Sequence, residues 1–154
     1  MTEKLVVYDS IFGNTAKIAE AVGEALGAEV RKVDSVTPEY LEGLKILLVG
    51  SPTRAFQATP ATMTFLKGLK GQLKGVRAGA FDTRIPEEGT NSGFLRFMIS
   101  LFGYATPKLD KALAQTGAEI VLEATGFAVV DSEGPLAEGE LARAQVWAKA
   151  ILQE

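Results

Sequence analysis

Ser10, Gly13, Asn14 and Thr15 fall within six positions, after the apolar run Leu5-Val6-Val7-Tyr8 and before a stretch with helical periodicity. Hydroxyls, an amide and a glycine at a strand-to-helix junction can do one kind of chemistry well. The first N–H groups of a helix lack intrahelical acceptors and carry the positive end of its dipole. Gly13 lets the chain bend close to a ligand, and Ser10 and Thr15 add hydroxyl donors. Such a loop can hold a phosphate without Lys or Arg. The competing reading is an ordinary capped turn, since Asn14 or Thr15 can also cap the helix.

The rest of the composition narrows what else is possible. The 154 residues contain no Cys and no His. Disulfides, thiol nucleophiles and thiolate metal sites are therefore excluded, as is the usual general base near neutral pH. Chemistry must come from carboxylates, hydroxyls, Lys, Tyr or a borrowed cofactor. A net charge of −3 is too mild to imply a nucleic-acid partner. The segment MTEKLVVYDS lacks a signal-peptide layout, and no apolar run is long enough to span a bilayer. A soluble cytoplasmic protein is the expectation.

Several elements must position that first loop. Leu5 to Tyr8 reads as a buried strand. Ile18, Val22 and Leu26 recur at helical spacing, and Gly27 ends the helix. Glu29 to Val33 is a weaker strand with Val30 and Val33 inward. Ile46-Leu47-Leu48-Val49 is a fully buried strand, stopped by Gly50-Ser51-Pro52. Thr59-Pro60 pairs a cap with a first-turn proline, and Met63, Phe65, Leu66 and Leu69 give that helix its apolar face. Val76 to Phe81 is another buried strand. Thr106-Pro107 repeats the cap-and-proline start, with Leu109, Ala112 and Leu113 inward and Gly117 at the end. Glu119 to Val130 reads as one long strand bent at Gly126, and Leu136 to Gln153 as a last helix burying Leu141, Ala144, Ala148 and Ile151. Apolar strands alternating with helices mean an α/β domain, a parallel sheet covered on both faces. Ligands of such sheets sit beyond the carboxyl ends of the strands. The loops to read are those after Tyr8, Val49 and Phe81.

Three familiar phosphate-binding or phosphoacceptor patterns do not fit. The first loop lacks the Gly-Lys-Ser/Thr ending of a Walker loop and the Gly-x-Gly-x-x-Gly of a dinucleotide site. The strand ending Val49-Gly50-Ser51 lacks a phosphoacceptor Asp. The loop Ser10-Ile11-Phe12-Gly13-Asn14-Thr15 does resemble the flavodoxin phosphate loop, Ser/Thr-x-Thr-Gly-x-Thr, departing from it at Phe12. The second loop, Gly50-Ser51-Pro52-Thr53-Arg54-Ala55, is similar to the Gly-Ser-Pro-Thr stretch of many flavodoxin-like proteins. The resemblance covers the whole chain in element order and length, and is to the short-chain type. It implies one three-layer, doubly wound, five-stranded domain of strand order 2-1-3-4-5. It also implies FMN as cofactor, with Ser10 to Thr15 on the phosphate. Pro52, Thr53, Arg54, Ala55 and Phe56 would line one face of the ring, and Asp82, Thr83 and Arg84 would pass along its pyrimidine edge or other face.

Flavodoxins often sandwich the ring between a Trp and a Tyr. Here Arg54 falls where the Trp would be, and the third loop, Phe81 to Gly89, offers no aromatic after the strand end. A guanidinium can stack on a flat ring; two solvated loop arginines are the alternative for Arg54 and Arg84. One positive charge about 6 Å from the ring, at an effective dielectric near 20, is worth ~3 kcal/mol before screening. That is on the order of a tenth of a volt per electron. The expectation is a less negative potential for the reduced couple than a strongly acidic flavodoxin shows.

Phe94 to Tyr104 is apolar around most of a helix, with Arg96 and Ser100 sharing one face. Either neighbouring helices bury both sides, or the segment is a docking surface, a cover over the flavin or a dimer contact. The function implied by the resemblance is an FMN-binding one-electron carrier working with redox partner proteins. The alternatives are a regulatory module of the same fold without flavin, and a flavin quinone reductase using a nicotinamide. A carrier needs no side-chain acid or base, because the cofactor does the chemistry.

Overall fold

A computed structural model describes residues 3–86 and 93–153. Chain order gives β1 (Lys4–Tyr8), α1 (Asn14–Leu26), β2 (Glu29–Lys32), β3 (Ile46–Pro52), α2 (Pro60–Lys67), β4 (Arg77–Arg84), α3 (Gly93–Phe102), α4 (Thr106–Gln115), β5 (Glu119–Ile120), β6 (Thr125–Ala128) and α5 (Glu140–Lys149). The strands form one sheet in the order β2-β1-β3-β4-β5, and β6 also pairs with β4. Every pairing is parallel. This is the expected doubly wound architecture, with the fifth strand broken in two.

Alternation along the central strands builds two cores. Leu5, Val7, Leu47, Val49, Ala78 and Ala80 face Leu66 of α2 and Leu109 and Leu113 of α4. Val6, Leu48 and Phe81 face Ile18 and Val22 of α1 and Ala144 and Ala148 of α5. A parallel sheet buried on both faces has no solvated side, so its strands are apolar throughout rather than alternating. Phe81, Phe127 and Trp147 meet edge to face, with centroids 5.8–6.1 Å apart. Each such pair adds roughly 0.5–1.5 kcal/mol beyond its buried area. Gly50 is required beside them, because a Cβ there would overlap the Phe81 ring.

Four boundaries differ from the sequence reading. First, Gly50-Ser51-Pro52 does not stop β3; these residues pair with Phe81, Asp82 and Thr83 of β4, which itself runs to Arg84. Second, the fifth strand breaks before Gly126. Partners of β4 lie 42 positions ahead at Arg77 with Glu119, and 44 ahead at Phe81 with Thr125, so two extra residues are accommodated between them. Leu122 turns inward there against Gly79, and Trp147 Nε1 donates to the Glu123 carbonyl at 2.8 Å. Third, Thr106 does not cap α4. It is the first helical residue, and its N–H is taken by the Asp82 carboxylate at 3.2 Å. Fourth, α5 begins at Glu140, not Leu136. Leu141 is 45% exposed because Glu140 turns inward instead, in phase with buried Ala144, Ala148 and Ile151.

That inward Glu140 is well satisfied. It accepts from the Ala128 N–H at 2.6 Å and from Arg143 at 2.7 and 2.8 Å. Its Arg143 hydrogen bonds hold its carboxyl below the usual value, with burial opposing and the Ala128 N–H assisting. Arg143 also donates to the Gly126 carbonyl and lies over the Phe127 ring. The helix N-terminus is thereby stapled to β6.

On α3, Ile99 is buried while Phe94 and Phe97 are 74% and 60% exposed. Burial on both sides by neighbouring helices does not occur for these two rings. The remainder of the third loop, from Glu87, lies outside the described residues.

Candidate functional site

The carboxyl ends of β1, β3 and β4 open into a cleft of about 420 Å³, a size usual for small-molecule sites. Ser10, Ile11, Phe12, Asn14, Thr15, Pro52, Thr53, Arg54, Ala55, Thr83 and Arg84 line it. Gly13 stands just behind, at the N-cap of α1 with φ 91°. Phe56 lines a smaller neighbouring pocket of about 220 Å³, with Thr53, Ile85, Ile99 and Tyr104. Asp82 is wholly buried beneath the floor.

The first loop is wound as a cradle. Ser10 Oγ accepts from the Gly13 N–H at 3.1 Å and from the Ala16 N–H at 3.4 Å. Asn14 and Thr15 are in the first turn of α1, so their N–H groups have no intrahelical acceptor. Gly13 takes the positive φ at the turn into α1. Asn14 Nδ2 donates to the Glu133 carbonyl at 3.2 Å, which draws a fourth loop to the site. At the floor the Thr15 and Thr83 hydroxyls are 2.7 Å apart.

The second loop is a tight hairpin. Arg54 and Gln57 exchange N–H···O bonds of 2.8 and 2.9 Å. The two residues between them, Ala55 and Phe56, have φ of 48° and 67°. Two positive φ values are the requirement of a type I′ turn, normally met by Asn-Gly. An L-residue with a side chain costs roughly 1–2 kcal/mol in that region. This turn holds the exposed Arg54 at the cleft, its guanidinium 5.2 Å from the centroid of the Phe12 ring.

The end of β4 contributes a charge pair, with Asp82 buried and Arg84 partly exposed. Arg84 Nε and Nη2 donate to the two Asp82 oxygens at 2.6 and 2.8 Å, and Nη2 also donates to Thr106 Oγ1 at 3.1 Å. The guanidinium lies 3.8 Å from the centroid of Tyr104 and crosses Gly126, where a Cβ would collide with it. Asp82 further accepts from Thr53 Oγ1 at 3.2 Å. Burial pushes the Asp82 carboxyl up, while Arg84, Thr53 and the Thr106 N–H act against it. The alternative of two solvated loop arginines holds for neither in full: Arg84 is paired and Arg54 is exposed at the cleft. Arg84 is neutralised by Asp82, and Arg54 alone brings an unpaired charge to the cleft among the described residues.

Sequence reasoning missed Ile85, Val129 and Ser132 in the cleft wall and Tyr104 behind Arg84. The run Asp131-Ser132-Glu133-Gly134-Pro135 is a turn signal that follows the last strand and marks a fourth rim loop. Tyr104 carries no such local signal, since only the fold brings it to Arg84. Its hydroxyl donates to the Ile85 carbonyl at 3.1 Å.

These donors suit a phosphate at the α1 end and a flat polar ring along the strand ends. The residues fit a flavin mononucleotide: loop N–H groups and the Ser10 hydroxyl for the phosphate, Pro52 to Ala55 and Thr83 to Ile85 along the ring. No group of His, Asp or Glu side chains suited to a metal ion occurs among the described residues.

A family model described as Flavodoxin matches residues 6–145. No curated protein matches the chain. Among solved structures, oxidised flavodoxin 1 from Bacillus cereus superposes with a TM-score of 0.74 at 16% identity, over 98% of this chain and 97% of that one. A short-chain flavodoxin associated with a non-canonical PDU bacterial microcompartment gives 0.71 at 17%, over 99% and 98%. The Streptococcus pneumoniae flavodoxin gives 0.68 at 20%, over 97% of both chains. At such identities the superpositions show the shared fold.

Proposed function

The chain belongs to the flavodoxin family of FMN-binding redox proteins, and we propose that it is a one-electron carrier whose FMN lies in the cleft described above. The observation that carries this reading is the convergence of three loops from β1, β3 and β4 on one cleft, with the first turn of α1 at its end. When bound, FMN accepts and returns electrons one at a time. The protein supplies binding, orientation and electrostatic tuning. The N–H groups of Asn14 and Thr15 would hold the phosphate, helped by the helix dipole. The strained Ala55-Phe56 turn keeps Arg54 against the cleft. The Asp82–Arg84 pair braces Thr53 without adding net charge. Arg54 then makes the potential of the reduced couple less negative than in a strongly acidic relative.

Partner proteins are expected to meet the carrier near this rim. The exposed Phe94 and Phe97 of α3 support an apolar docking or dimer contact over residues 94–104. No helix among the described residues is long and apolar enough to cross a membrane.

One observation favours a second reading, a module of the same fold without flavin. Ser10 Oγ already satisfies two loop N–H groups and so keeps the cradle closed without a ligand. The spectrum of the purified protein separates the two. A yellow protein whose bound FMN is reduced and reoxidised reversibly in a potentiometric titration supports the carrier. A colourless protein that takes up no added FMN supports the module.

A further inference from the structure

The charges of this chain are segregated in sequence. Residues 43–81 hold Lys45, Arg54, Lys67, Lys70, Lys74 and Arg77 and no Asp or Glu, although the whole chain is net −3. The remainder is correspondingly acidic. The fold brings one of these, Lys67, beside two lysines from outside the segment. Lys67 of α2 and Lys108 and Lys111 of α4 line a groove of about 490 Å³ between those helices. All three are exposed, and none makes an ion pair among the described residues. The one carboxylate on either helix, Asp110, is not part of the groove lining, and its Oδ1 is buried.

The groove shares no lining residue with the cleft but is linked to it through the second-loop hairpin. Gln57 and Ala58 form its upper end, and Gln57 is the hydrogen-bonded partner of Arg54 in the hairpin that walls the cleft. A protein seated in the groove therefore meets the hairpin that carries Arg54.

We propose that the α2/α4 groove is the docking surface for an acidic redox partner protein, whose carboxylates pair with Lys67, Lys108 and Lys111. This deepens the carrier reading and rests on it for the purpose of the contact. The geometry favours a protein over a nucleic acid. The positive patch is short and concave, and the acidic remainder of the chain repels an extended polyanion. Such rim charges act mainly on encounter rate and selectivity, so binding must weaken with salt.

The test measures binding of the full chain, with and without FMN, to two redox proteins of opposite charge, an acidic ferredoxin and the basic cytochrome c. The expected result is binding to the ferredoxin at low salt, lost on raising ionic strength, and none to cytochrome c. Lys67→Gln, Lys108→Gln and Lys111→Gln together weaken it about tenfold. The same three changes at Lys17, Lys32 and Lys149, outside the groove, leave it unchanged. An FMN titration of each variant, run in parallel, keeps the two readings apart: failure to take up FMN overturns the carrier, not the groove. No ferredoxin binding, equal binding to cytochrome c, or loss on the control substitutions overturns the docking surface. Salt-sensitive capture of duplex DNA or phosphatidylserine vesicles by the groove lysines, without ferredoxin binding, overturns it in favour of a polyanion site.

Discussion

Replacing Arg84 by Met is the sharpest perturbation of the site floor. It keeps an apolar stem but removes both bonds to Asp82, which has no exposed surface, together with the guanidinium's stacking on Tyr104 and its bond to Thr106. The carboxylate then keeps only the Thr53 hydroxyl and the Thr106 N–H. Leaving one member of a buried pair unpaired costs about 3–5 kcal/mol, a large share of the 5–15 kcal/mol typical of a domain. The double variant Asp82→Asn with Arg84→Met removes the orphan charge, while the amide oxygen still accepts from Thr53 and Thr106. It is therefore expected to be more stable than Arg84→Met alone, with a coupling energy of about 2 kcal/mol or more. The pH dependence has a definite sign. Without Arg84, burial raises the folded carboxyl further above its ordinary 3.8. The native variant then holds a proton that the unfolded chain releases, so its deficit shrinks as pH falls toward that ordinary value. Urea denaturation at pH 7.5 and 5.0 for the wild type, both single variants and the double measures all of this. A loss below about 1 kcal/mol for Arg84→Met, or additivity in the double variant, refutes the buried pair as the brace of this floor.

Ala55→Gly relieves the left-handed strain at φ 48°. After the entropy cost of glycine, a gain of about 0.5–1 kcal/mol in a thermal melt is expected. Glu140→Gln removes the pair with Arg143 and weakens the acceptor for the Ala128 N–H, costing about 1–2 kcal/mol at pH 7. Because the folded carboxyl lies below its ordinary 4.5, that contribution is present above 4.5 and fades as pH falls through the folded value; wild-type and variant denaturation curves should converge as pH falls below 4.5. Ser10→Ala frees the Gly13 and Ala16 N–H groups and loosens the cradle. FMN affinity should fall about three- to tenfold while riboflavin affinity, measured by the same fluorescence titration, stays unchanged.

The architecture was legible because its signals are local. Leu5 to Tyr8 and Ile46 to Val49 are uninterrupted apolar runs, Thr59-Pro60 starts a helix where expected, and Gly27 closes one. Reading Gly50-Ser51-Pro52 as a stop failed because pairing with β4 overrides the weak strand propensity of those residues. Reading Thr106 as a cap failed because the acceptor for that helix end comes from Asp82 on β4, 24 positions away. The spacing of Leu141 fits a helical stripe, but the inward Glu140, which accepts three hydrogen bonds, rotates the helix by one position. At the site, eleven of the expected residues line one cleft, since the glycine and hydroxyl pattern lies within single loops. The Ala55-Phe56 turn was illegible because neither residue is a usual type I′ former. The neutralisation of Arg84 is illegible while the strand is ended at Phe81; only because β4 runs on to Arg84 do Asp82 and Arg84, two apart, share one face.

The central claim is that the cleft binds FMN through its phosphate, and a fluorescence titration of flavin with the purified chain tests it most directly. The account predicts that FMN fluorescence is quenched to a tight endpoint at one equivalent, and that riboflavin, lacking the phosphate, binds at least tenfold more weakly, the roughly 1.4 kcal/mol expected for charge-assisted hydrogen bonds at a helix N-terminus. Unchanged fluorescence at micromolar FMN, or equal affinity for FMN and riboflavin, contradicts it.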